Sequence, residues 1–262
     1  MAIKYTFTGL LIYLTIAAYL FAFLTTITGK RKTGQTLYLA GFIAAAAAFA
    51  YRWYDVRHVP FQNMFEVFLC MGMLVYPLSV FCRRLLCVGG EAADMLIGAI
   101  LLLPVGFVFH SEPQMLPPAL QCWLFTPHVA VYLISYVIMT KAAVQAFCQL
   151  KNKQDKMDTF GYEQATYKMI CLGFPFLTMG LILGSWWGKL AWGDYWGWDP
   201  KELWSLVCWL VYVEYLHLRY MFGKKHARIN STLAILGLAA IVVTLLWVNL
   251  SRIFPGLHNY AS

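Results

Sequence analysis

What most narrows the fold of this chain is a recurrence. Apolar runs of roughly 20 residues follow one another along almost its whole length, each able to cross ~30 Å of hydrocarbon as a helix. About eight can be read, over 6–27, 36–53, 64–86, 95–109, 127–149, 169–187, 203–222 and 229–252. Only 12% of the 262 residues are charged, where a soluble domain carries about 25%. The expected fold is all-α: a polytopic membrane helical bundle of about eight transmembrane helices, forming one integral membrane domain over 1–262 with both termini outside. The fourth run is short, and Pro104 within it can kink it. The first run is too long for a cleavable signal peptide and lacks a clear A-x-A site.

A net charge of +8 could suggest nucleic acid, but its placement argues against that. Thirteen of the twenty basic residues lie in alternate connections: Lys30, Arg31, Lys32, Arg83, Arg84, Lys151, Lys153, Lys156, Lys168, Arg219, Lys224, Lys225 and Arg228. The other connections and the termini hold six: Lys4, Arg52, Arg57, Lys189, Lys201 and Arg252. Positive charge gathers on the cytoplasmic side of membrane proteins. Loops 52–62, 110–126 and 188–202 and the tail 253–262 are therefore expected to face outward. The basic excess is a topology signal.

Six of the ten tryptophans fall within nineteen residues: Trp186, Trp187, Trp192, Trp196, Trp198 and Trp204. The densest part is Trp192-Gly-Asp-Tyr-Trp-Gly-Trp-Asp-Pro-Lys-Glu202. Interfacial anchors come one or two per helix end. A loop that strings aromatics together with glycine spacers builds a flat surface suited to a large planar ligand such as a porphyrin. The seven cysteines form no CxxC pair and mostly sit inside apolar runs, where Cys is a small packing residue.

Histidines are the chemical inventory. His226 lies in a basic cytoplasmic loop and His110 at a helix end, both placed for solvent or the interface. His128 opens the fifth run and His258 follows the eighth, in the same outer layer as the aromatic loop. Two neutral imidazoles beside a tryptophan platform suit an iron macrocycle ligated from both faces. His217 lies about 14 residues into the seventh run, ~21 Å from its outer end. An ionisable residue at that depth is a functional candidate, with Glu214 one turn earlier as its simplest structural partner.

These residues carry a family resemblance. The Trp192–Glu202 run resembles the "WWD" signature of haem-handling proteins that assemble c-type cytochromes. The ending Asp199-Pro-Lys-Glu202, the Tyr215-Leu-His217 segment and the tail Gly256-Leu-His-Asn-Tyr260 are similar to the CcsA (ResC-type) branch of the system II cytochrome c synthases. The segment His58-Val-Pro-Phe-Gln-Asn-Met-Phe-Glu66 resembles that branch's His-x-Pro-x-x-Asn-x-Tyr-Glu motif, with Phe65 for the usual Tyr. The resemblance covers the second to eighth helices. Some members are natural fusions with a CcsB or ResB partner, a region not found in this chain.

The resemblance implies His128 and His258 as axial ligands of an outward-facing, non-covalent haem b. The loop residues Trp192, Gly193, Tyr195, Trp196, Trp198 and Asp199 would support that haem. It implies His217 as one ligand of a second haem within the membrane. Haem would pass from the inner site to the outer one, where its vinyl groups meet the thiols of a CxxCH motif in reduced apocytochrome c. The chain would be the haem-presenting subunit of a synthase in a bacterial inner membrane, a thylakoid being the other setting. A CcsB/ResB-type membrane protein would be its partner, with thiol-reducing proteins acting indirectly.

His58 lies at the outer edge and His217 deep toward the cytoplasm, ~20 Å apart along the membrane normal, so they cannot share one iron. The second ligand for His217 is expected from the partner, with Tyr212 and Met221 as intrachain possibilities. Lys201 and Arg252 are candidates for pairing with propionates. Asp199 either bonds within its loop or orients a neighbour. Two other functions compete. A membrane small-molecule transporter expects broken helices and a polar midplane, which only Lys141 and the Glu214–His217 region fit. A haem b electron-transfer protein expects paired ligands within single helices, a spacing no histidine pair here has.

Overall fold

The computed structural model describes residues 4–151 and 161–248. The eight apolar runs fall in eight α-helices: α1 (Phe7–Ile27), α2 (Arg31–Val56), α3 (Met64–Leu86), α4 (Glu91–Phe107), α5 (Phe125–Lys151), α6 (Tyr162–Trp192), α7 (Pro200–Phe222) and α8 (Ala227–Val242). No strand occurs among the described residues. Six stretches are long and apolar enough to cross a membrane: α1, α2, α3, α5, α6 and the segment Pro200–Trp247 that holds both α7 and α8. Helix α4, with 17 residues, is shorter and contains Pro104. Helix α8 continues into a π turn, Val243–Trp247. The molecule is a multi-pass membrane protein.

The chain divides into two compact units, Met1–Leu116 and Pro117–Ser262. In the first, α1 packs along α2 and α4, and α3 along α4 and α2. Without a hydrophobic drive between helices in lipid, small residues that let backbones approach do the joining. Tyr19 of α1 is fully buried, seated where a Cβ on Gly41 (α2) or Gly98 (α4) would lie 2.5 and 2.7 Å from its ring.

One end of this unit is polar and closed upon itself. Asn63 caps α3, its side chain accepting from the Glu66 amide at 3.0 Å. The buried Glu66 carboxylate accepts from Arg52 Nε of α2 at 2.9 Å and from the Gln62 amide at 2.8 Å. Arg52 also donates to the Ser111 carbonyl at 2.7 Å and lies over the Phe65 ring, 5.4 Å from its centre. Gln62 reaches the Met115 carbonyl at 3.1 Å. Lys4 donates to the Phe109 carbonyl, and burial pushes its ammonium below the usual lysine range. The His58–Glu66 segment thus acts as a clamp on the start of α3, with His58 Nδ1 facing its neighbour's carbonyl at 3.1 Å.

In the second unit α5 packs along α6, and α8 lies against both α5 and α7. Ser135 of α5 donates to the Gly173 carbonyl of α6 at 3.0 Å. Arg219 of α7 is tied to α6. Its Nε pairs with Glu163 at the start of α6 at 2.5 Å, and its guanidinium lies 4.8 Å over the Tyr167 ring. A buried charge needs such a partner.

Candidate functional site

The site is built where the start of α5 meets the last turns of α6. Helix α5 begins at Phe125, so Thr126, Pro127 and His128 occupy its first turns. Proline is tolerated there because its missing N–H would have no helical partner. His128 projects onto α6. Its Nδ1 lies 2.9 Å from the Gly180 carbonyl, its ring stacks on Trp187 (5.6 Å, 22°), and Tyr132 meets it edge-on (5.1 Å, 84°).

A carbonyl only accepts, so Nδ1 of the neutral ring carries the proton and Nε2 the lone pair. That is the tautomer a metal-binding imidazole needs, and an Nδ1–H bond to a backbone carbonyl is the usual way of fixing it.

Trp187 anchors the arrangement. It is 2% exposed, and its indole N–H donates to the Ala119 carbonyl at 2.9 Å, in a short 3₁₀ turn over Pro118–Gln121. Phe125 and Trp192 pack on it at 5.7 and 4.7 Å. Trp186, its neighbour in sequence, faces the other way, half exposed and edge-on to Trp123 at 5.8 Å.

Helix α6 runs five residues beyond the apolar run that announces it, to Trp192. The loop proper is therefore 193–199, shorter than the 188–202 read from sequence. Gly193 closes α6 at φ 94°, a left-handed conformation that glycine adopts without strain. Ser185 donates to the Tyr195 carbonyl at 2.9 Å, and Lys189 donates to the Gly193 carbonyl at 2.5 Å, binding the loop back onto α6. Trp196 and Trp198 meet edge-on at 6.1 Å. Trp198 is 67% exposed and holds φ 56°, a left-handed conformation that a bulky side chain rarely adopts.

Asp199 has a definite role. It caps α7, accepting from the Lys201 amide at 2.9 Å, while Glu202 reaches back to the amides of Asp199 (3.1 Å) and Gly197 (2.8 Å). This reciprocal capping box, with Pro200 in the first helical position, turns Asp-Pro-Lys-Glu into a rigid exit from the loop. The charged end of the motif therefore shapes the aromatic part. Lys201 is half-buried on the first turn of α7.

His217 stands apart. It lies seventeen residues after Pro200, ~26 Å along α7, and five before the helix ends at Phe222. Its side chain is exposed, with Nδ1 2.9 Å from the Val213 carbonyl rather than on Glu214. Glu214 is also exposed. Tyr212, one of the intrachain alternatives, is fully buried, while Met221 is exposed. His110 is exposed, and His226 packs edge-on against Phe222 at 5.2 Å. His258 and Arg252 lie outside the described residues.

Three contributors escape a reading of the loop alone. The Gly180 carbonyl and the space at Gly184 seat His128, and Trp123 extends the exposed aromatic surface. The glycines had a signal, since Gly180-Leu-Ile-Leu-Gly184 is a small-xxx-small pattern inside an apolar run. The capping box had one too.

Comparison with known proteins gives the chain a family. Residues 6–255 match the family described as cytochrome C assembly protein. The chain is similar to the cytochrome c biogenesis protein CcsA of Chlamydomonas reinhardtii, 33% identical over 224 residues, 80% of this chain and 63% of that protein. It is 29% identical over 248 residues to the CcsA of Synechococcus sp. (strain CC9605), covering 80% of each. It is 27% identical over 275 residues to that of Parasynechococcus marenigrum (strain WH8102), covering 89% and 88%. Since the family match takes in all eight helices and the aromatic loop, this chain belongs to the cytochrome C assembly protein family and is a CcsA-type membrane protein of cytochrome c biogenesis.

Proposed function

We propose that the chain carries haem b across the membrane and presents it, at an outward-facing site, for covalent attachment to apocytochrome c. The single observation that carries this reading is His128: Nδ1 bound to the Gly180 carbonyl, the ring stacked on a buried tryptophan, and the lone pair on Nε2. The donor chemistry fits a porphyrin iron, and the recess left by the missing Cβ of Gly184 fits the aim of the ring. His258 is the proposed second axial ligand. Trp192, Gly193, Tyr195, Trp196, Trp198 and Asp199 shape the surface that holds the macrocycle edge.

Haem is the cargo in this reading. Attachment adds a cysteine S–H across a vinyl C=C, sulfur to one carbon and hydrogen to the other, with no net oxidation. The chain's residues contribute positioning: two imidazoles hold the iron, and the aromatic loop sets the ring orientation. The basic-residue pattern supports the outward placement of the loop; the proposed setting is a bacterial cytoplasmic membrane, with the loop on the periplasmic side.

His217 is proposed as one ligand of a second haem in the membrane, the other coming from a CcsB/ResB-type partner. Its exposure supports this. Leu203, Val207, Leu210, Glu214, His217 and Met221 are all exposed and recur at steps of four and three along α7. Glu214 and His217 on a lipid-facing stripe would be expensive, so a neighbouring protein helix is the better cover.

The test is the absorption spectrum of the purified chain, reduced and oxidised, beside a His128→Ala/His258→Ala double variant. A bis-imidazole haem b spectrum in the parent and its loss in the variant is the expected result. A parent that stays haem-free with and without the partner would overturn the reading and favour small-molecule transport.

A further inference from the structure

Gly184 lies one turn beyond Gly180 on α6, on the face that receives His128. A Cβ placed on Gly184 would come 2.5 Å from His128 Cε1 and 2.9 Å from Nδ1, inside any contact a real side chain makes. The ring has little room to retreat. Trp187 stacks on one face at 5.6 Å and is itself tied to the Ala119 carbonyl, while Tyr132 stands edge-on at 5.1 Å. In an α-helix the Gly180 carbonyl already accepts the amide of residue 184 and has a second lone pair to offer. A side chain at 184 would meet the imidazole at Cε1 and Nδ1 and push it off that lone pair. Only glycine lets Nδ1 reach the carbonyl at 2.9 Å.

We propose that Gly184 is a positioning residue: the missing side chain sets the tautomer and the aim of His128, and through them the hold on haem iron at the outer site. The inference rests on His128 being an iron ligand, and it deepens that reading by assigning the ligand's orientation to α6. The general size of such an effect is known, since loss of a group that orients a metal-binding histidine weakens metal binding about 10- to 100-fold.

The experiment compares the full chain with Gly184→Ala, Gly173→Ala and His128→Ala. Haem content at limiting haem, midpoint potential and response to added imidazole are read for each. Gly173 is the control because it lies on the same α5–α6 interface, where an added Cβ would meet Ile138 and Met139 side chains at 3.1 Å, away from His128. Gly184→Ala is expected to lose about 10- to 100-fold in haem affinity. Its potential should shift, and imidazole should restore binding. Gly173→Ala should keep the parental values. Parental affinity, potential and imidazole response in Gly184→Ala, with haem lost in His128→Ala, would overturn the inference while leaving the ligand reading intact. A His128→Ala chain with an unchanged spectrum would overturn the ligand reading itself, and the inference with it. If Gly184→Ala is not recovered folded, the double variant Gly184→Ala/His128→Ala decides. Recovery of yield and melting temperature supports a clash with the ring, and a double variant as poor as the single one overturns it.

Discussion

Two polar clusters, one in each unit, use their residues in different ways. In the first, Arg52, Gln62, Asn63 and Glu66 are spent on one another and on backbone carbonyls, and a motif that begins at His58 ends as a clamp on α3. In the second, hydrogen bonds are spent on aiming: Gly180 orients His128, Ala119 holds Trp187, and Glu202 with Asp199 sets the exit of the aromatic loop. A cluster that satisfies itself confers stability. A cluster that fixes one atom of a ring sets the orientation of the whole ring. Both lie in segments similar to family motifs, so motif membership alone does not separate scaffold from site.

Glu66→Ala should break the comparison most strongly from the scaffold side. Leaving Arg52 buried without its carboxylate costs about 3–5 kcal/mol, which a melting curve of the purified chain would read directly. His128→Ala should do the reverse, changing stability little and abolishing the outer haem spectrum. If the two variants lost stability equally, the division between clamp and site would fail.

Smaller effects sharpen it. Trp187→Phe removes the indole bond to Ala119 and leaves that carbonyl unpaired, for about 1–3 kcal/mol in denaturation, with weaker haem retention because the surface under His128 loosens. Asp199→Ala removes the cap of α7 and should cost about 1 kcal/mol, whereas Asp199→Ser keeps a capping oxygen and should cost less. Trp198→Gly should have the smallest effect on stability. Relief of the left-handed backbone, worth about 1 kcal/mol, offsets the lost contacts, so the melting temperature stays near the parent value while haem affinity falls. A large drop in stability there would mean the tryptophan holds the loop together rather than offering a surface.

Much of this was legible in order of residues. Among the described residues each of the eight apolar runs holds a helix, because a segment that must satisfy its own backbone in hydrocarbon has no other stable choice. His128 and the tryptophan run were legible as candidates by residue type, and the structure brings His128 onto Trp187, at the head of that run. The helix ends were read less well. Trp192 closes α6 rather than opening a loop, because Gly-Lys-Leu-Ala continues a helix without being apolar enough to look like one. Nor does any local pattern show that Arg219 pairs with Glu163, fifty-six residues earlier.

Sequence alone determined the membrane helical class, the tryptophan-rich segment and the candidate histidines, because those follow from composition, spacing and side-chain chemistry. Only the tertiary structure decided that Trp187 turns inward while Trp186 turns out, that Asp199 caps a helix, and that the space for His128 comes from an absent Cβ on another helix. Which of two adjacent tryptophans is buried, and where an imidazole points, depends on what the neighbouring helix brings to the same level. That is a contact between residues more than fifty positions apart, and no local pattern encodes it.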